Sequence, residues 1–168
     1  MFDTYVECMV ARKKNPLLQA ARYVLIGLCA LCVVAMFCTV SLAVVCMLLA
    51  IGFGVAAYFV NMVANVEYEY LYIDKEIVVD KVLNKAKRKR LATYDLEKVE
   101  IMAPMKSYHL DDYKNRTPKV VDISSGMPAY ESKRYVFYYD GQQKIIFEPS
   151  AEMLKAMKNV APRKIFLD

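Results

Sequence analysis

Five cations crowd into six positions at Lys85, Lys87, Arg88, Lys89 and Arg90, the densest charge in a 168-residue chain of net charge +5. Basic side chains at this density suit an anionic surface, and near charged lipid each contributes about 1 kcal/mol, weakened by salt. The plainer alternative is a solvated strand edge, where lysines discourage pairing with other strands. Nucleic acid is not an expected partner, because the overall charge is modest for that role.

Enzymatic constellations are thin. His109 is the single histidine, so a zinc site built on several histidines or a Ser/His/Asp triad would have to pass through it. Asp111 and Asp112 set two carboxylates nearby, which is metal-binding vocabulary, yet no further ligand stands at motif spacing. A metal-dependent enzyme centred on His109 is therefore a remote alternative to a solvated loop. Ser124-Ser-Gly126 lacks the surroundings of a nucleophile elbow or phosphate loop, and no glycine-rich nucleotide fingerprint occurs. No cofactor and no metal site is expected.

The cysteines Cys8, Cys29, Cys32, Cys38 and Cys46 all precede residue 65, which excludes a disulfide-built C-terminal domain. Cys29-x-x-Cys32 has redox or metal-ligand spacing but lies in an apolar run with no second pair, so small buried helix residues explain it better.

That apolar run dictates how the rest is positioned. From Tyr23 to Val66 there is no Asp, Glu, Lys, Arg or His. One membrane span takes roughly 20 residues, so the stretch accommodates two. A turn falls near Thr39 to Ser41, the only Thr and Ser of the run, placing helices at about 23–38 and 42–61. The length argues against a cleaved signal, whose apolar core is roughly 7–15 residues. Basic residues flank both sides: Arg12, Lys13, Lys14 and Arg22 before it, Lys75, Lys81 and the 85–90 cluster after it. With two spans, the positive-inside tendency puts both ends in the cytoplasm, making a multi-pass protein of the cell membrane. Gly52 and Ala56 have the small-xxx-small spacing of a helix-packing face, most simply against the first span.

Three parts follow: an N-terminal segment (1–20), the hairpin (21–64) and a cytoplasmic domain (65–168). Phe2, Tyr5, Val6, Met9 and Val10 sit at helical spacing, predicting a short amphipathic helix interrupted by Pro16, on the membrane surface or packed under the domain. From Val66 the period becomes two. Val66, Tyr68, Tyr70 and Tyr72 form one face of a strand, although these tyrosines also suit a membrane interface. Asp74-Lys75-Glu76 turns into the strand EIVVDKVLN, and KRKRLATYDLEKVEIMAP continues as β structure until Pro104. Residues 105–133 read mainly as loop, with a short strand at Lys119 to Ile123. RYVFYY and QQKIIFEP flank Asp140-Gly141, the best hairpin signal in the chain. Ser150 caps a last helix with the apolar stripe Met153, Leu154 and Met157, limited by Pro162.

The order of YEYLYID, EIVVDKV, LEKVEIM and YVFYYDGQQKIIFEPS before a helix resembles the bacterial pleckstrin-homology-like (PH-like) domains attached to membrane hairpins, from Val66 to about Pro162. With the TYVE and ARKK pieces and KRKRLATYDLEKVEIMAP, the whole chain is similar to a family of small bacterial membrane proteins built on a domain of unknown function. The resemblance implies an α+β fold: a two-helix transmembrane hairpin, then an antiparallel sheet or partly open barrel with one C-terminal capping helix. It supplies no catalytic residues. The expected role is a membrane-tethered interaction module without enzymatic activity, whose partners are the bilayer and another protein or a second copy. The alternative is a sensor of anionic lipid headgroups using residues 85–90.

Overall fold

The computed structural model describes residues 5–38 and 40–167, and the chain falls into two compact units. One comprises Lys14–Val66 with the short piece Leu83–Ala86; the other holds the N-terminal residues up to Lys13, Glu67–Val82 and the chain from Lys87 onward.

In the first unit α1 (Pro16–Cys38) and α2 (Ala43–Ala64) form an antiparallel pair joined by a 3-10 turn at Val40–Leu42. Thr39, expected at this turn, lies outside the described residues. Both helices are long and apolar enough to cross a membrane, and almost none of their most apolar windows is buried. A core helix of a soluble protein would hide that surface. Pro16, expected to break an N-terminal helix, instead opens α1 at the first helical position, where its missing N–H costs nothing. Asn15 caps it, its Oδ1 accepting from the Leu17 N–H at 3.0 Å.

The N-terminal segment is not the expected amphipathic helix: Val6–Ala11 is a strand, β1. Phe2 lies outside the described residues. Five or six residues cannot sustain a helix alone, whereas the edge of a sheet satisfies their backbone at once. Val6, Cys8 and Val10 turn partly inward and Glu7, Met9 and Ala11 outward, a period of two hidden within the helical spacing.

The second unit carries two four-stranded sheets and no closed barrel. β1 pairs antiparallel with β2 (Val66–Ile73) from Val6↔Tyr72 to Ala11↔Glu67, and β3 (Glu76–Leu83) and β4 (Lys87–Asp95) complete the order β1-β2-β3-β4. The second sheet has the order β5-β7-β8-β6, with β5 Val99–Pro104, β6 Lys119–Asp122, β7 Tyr135–Tyr139 and β8 Gln143–Phe147. Its departure from a purely antiparallel plan is β6, which runs parallel to β8. A parallel neighbour needs a crossover, and the stretch from Ile123 to Arg134 together with β7 provides one. The region expected as loop also holds 3-10 helices at Tyr108–Tyr113 and Pro128–Lys133. Asp74-Lys75 and Asp140-Gly141 all have positive φ, the conformation that matches hairpin turns to strand twist.

Tyr68, Tyr70 and Tyr72 face the core rather than a membrane interface. Tyr70 packs edge-on to Phe147, and Phe147 to Phe137. The Tyr70 hydroxyl donates to the Ile123 carbonyl at 2.6 Å, and burial drives its pKa far above the ordinary tyrosine value. α3 (Ala151–Val160) covers this core with Met153, Leu154 and Met157, all buried, each contributing about 1.5–3 kcal/mol of apolar burial. Ser150 caps it, its Oγ accepting from the Met153 N–H at 3.2 Å. The tail then returns to β5, Met102 exchanging backbone bonds with Lys164 and Phe166, so that edge is covered.

Candidate functional site

The basic cluster splits by the pleat of β4. Alternation sends Arg88 and Arg90 to one face of the sheet and Lys87 and Lys89 to the other. Arg88 Nη2 lies 3.0 Å from Glu69 Oε1, and Arg90 Nε donates to Asp80 Oδ1 at 3.3 Å. Glu69 is wholly buried on β2, opposite Met9 of β1. Burial raises its pKa, and the Glu7 carboxylate beside it adds to the rise, while hydrogen bonding to Glu69 and to the Tyr5 hydroxyl lowers that of Glu7. The two arginines are thus committed to structural carboxylates. Lys85, Lys87 and Lys89 are exposed and hold no ion pair or side-chain hydrogen bond among the described residues.

Lys85 occupies the β3–β4 turn, where it and Asn84 both have positive φ. The Asn84 N–H donates to the carbonyl of Asn65, the residue directly after α2, at 2.7 Å, and the Asn65 side-chain amide bridges Asn61 and Asn84. This turn is therefore stapled to the end of the second apolar helix. The spacing of Asn61, Asn65 and Asn84 carried no sequence signal that would have revealed it.

Two open cavities lie on the domain. One, of about 380 Å³, sits beside the end of α3 between Leu96, Val160 and Pro162, with Lys75 and Glu97 paired at 3.1 Å on its rim. The other, of about 370 Å³, runs along β1: Cys8, Met9, Val10 and Ala11 form one wall, and Met127, Tyr130 and Lys133 stand on the other. Buried Ser125 and Glu148 also line it and belong to a polar trio with half-buried Arg134. Glu148 accepts from Ser125 Oγ at 2.8 Å and from Arg134 Nε at 3.1 Å, while Arg134 also donates to the Met127 carbonyl. Ser125 lies in the Ser-Ser-Gly segment that sequence reading set aside, and its partner stands 23 residues away, beyond any local pattern.

His109 lies on the 3-10 helix Tyr108–Tyr113 with its ring stacked on Phe166, centroids 3.7 Å apart. Asp111 pairs with Lys114 at 2.7 Å. No group of metal-ligating side chains occurs among the described residues. In the hairpin, a side chain at Gly52 would meet nothing within 4 Å, a Cβ at Gly54 would lie 3.9 Å from Cys29 Sγ, and Ala57 is buried. Cys29 itself donates to the Ala50 carbonyl, and Cys32 is buried, so this pair packs the hairpin.

Two candidate membrane-spanning helices joined to an α+β domain of two open sheets and a C-terminal helix define a membrane protein carrying a PH-like module. The family model described as bacterial PH-like domain, DUF6106, matches residues 2–167, and the chain belongs to that family. No curated protein and no solved structure matches it.

Proposed function

We propose that the chain is a non-enzymatic, membrane-tethered interaction module whose domain is held at the inner membrane surface to bind another protein. The observation that carries this reading is the open groove along β1, walled by exposed apolar side chains while the polar groups beside them are bonded to one another. The cytoplasmic placement rests on the basic flanks of the hairpin. Crosslinking in intact membranes followed by gentle solubilisation tests it: a stoichiometric partner or a defined oligomer is expected. A monomer by light scattering with no reproducible companion overturns the reading.

A second reading has its own observation. The staple from Asn84 to Asn65 keeps Lys85 beside the end of a membrane helix. At roughly 3.3 Å per residue, Lys89 is at most about 13 Å of chain further on. With a screening length of about 8 Å, Lys85 and Lys87 would feel an anionic lipid surface most and Lys89 least. Arg88 and Arg90 drop out of the lipid-contacting set because their charges are already met. Amine labelling of the full chain in nanodiscs tests this. Anionic lipid is expected to protect Lys85 and Lys87 at low salt and release them at high salt. Equal labelling in neutral and anionic discs removes the idea.

A further inference from the structure

We propose that the groove along β1 receives an extended peptide segment of a partner protein, alternately acidic and apolar, which adds to the first sheet as a fifth strand. This rests on the interaction reading and specifies the partner's chemistry.

Four consecutive residues, Cys8 to Ala11, line the groove. Successive side chains of a strand point to opposite faces, so consecutive residues share a wall only through the backbone edge. β1 pairs with β2 on one side and, among the described residues, with no strand on the other. Just beyond it, the Lys13 N–H reaches across to the Ser125 carbonyl at 2.7 Å. Peptide groups alternate in direction along an extended chain, and the proposal assigns those of Met9 and Ala11, in step with Lys13, to the same edge. Donors and acceptors at strand spacing there match the backbone of an added strand.

The charge of the groove selects the occupant. Glu148 is neutralised by Arg134, whereas Lys133 on the far wall has no carboxylate partner among the described residues and lies 5.3 Å from the Tyr130 ring centroid. Lys13, exposed just beyond β1, adds positive charge. An acidic side chain meets Lys133, and apolar ones meet Met9, Met127 and the Tyr130 ring. A second copy of β1 fits less well: Glu7 of one copy reaches Lys13 of the other only in a register that runs through the Lys13–Ser125 bond.

The test uses the full chain in nanodiscs of uncharged lipid and a fluorescent peptide of alternating Val and Glu, read by anisotropy. Saturable binding is expected, weaker by about tenfold or more when Lys133→Glu is introduced, with preference passing to a Val/Lys peptide. Backbone N-methylation on alternate residues is expected to abolish binding in one phase and spare it in the other, the signature of strand addition. No saturable binding, equal affinity for the Val/Lys peptide, or indifference to both N-methyl phases overturns the proposal. If a crosslinked companion is recovered equally well from Lys133→Glu and Met9→Pro chains, the interaction reading stands and this proposal falls. Circular dichroism of each variant confirms that it is folded.

Discussion

The first sheet ends on one side in β1, whose outward residues are Glu7, Met9 and Ala11, and on the other in β4, which opens with Lys87, Arg88, Lys89 and Arg90. Among the described residues neither edge pairs with a further strand, yet only the β4 edge opens with a row of charge that repels another strand. β1 instead borders a groove with apolar walls and a neutralised Glu148. Edge protection is thus applied selectively, and the unprotected edge is the one shaped to receive a strand. Within β4 itself the arginines bond inward across the sheet and the lysines remain unpaired, so a single run of positive charge serves two purposes.

Charge reversal separates those purposes most strongly. Arg88→Glu places a carboxylate against buried Glu69 and is expected to cost about 2 kcal/mol, below the usual range for breaking a fully buried pair because the Arg88 side chain is 62% exposed. Lys87→Glu should change stability by less than about 0.5 kcal/mol. Equal urea midpoints for the two variants would erase the distinction between the faces of β4.

Proline scanning sharpens the account of the β1 edge. Val10→Pro removes an N–H that the proposed assignment directs at β2, opposite Tyr68, and is expected to cost about 1–2 kcal/mol, with faster amide exchange along β2. Met9→Pro removes an N–H assigned to the groove and should cost less, as edge positions tolerate proline. The reverse order would mean that β1 presents the opposite set of peptide groups.

A smaller effect comes from the carboxylate pair that links β1 to β2. Glu69 has a raised pKa, so its contribution is complete below the ordinary carboxylate range and is lost as pH climbs through its raised value. Glu7, lowered, acts oppositely: its contribution is present above the ordinary range and fades as pH falls. Glu69→Gln should therefore gain in Tm relative to the natural chain as pH is taken from about 4 to about 8. A constant difference across that window would contradict the raised pKa of Glu69. The mildest expectation is for the triple change of Lys85, Lys87 and Lys89 to Gln, which should leave the thermal midpoint within about 2 °C.

The sequence by itself determined every element whose signal is local. The uncharged run from Tyr23 to Val66 is long enough for two apolar helices of membrane-spanning length, the Asp140-Gly141 pair sets its own hairpin, and Ser150 with Met153, Leu154 and Met157 specifies a capped amphipathic helix. Tertiary structure decided the features that depend on residues distant in the chain. Val6 to Ala11 fits two periodicities, and only the presence of β2 some sixty positions later makes it a strand. The KRKR run looks uniform until Glu69 and Asp80 stand on one side of it, and the Ser125–Glu148–Arg134 trio joins three segments with no pattern in common. Short-range periodicity fixes which secondary structure is affordable, but an edge strand, a buried charge and a groove are each defined by what the fold brings alongside them.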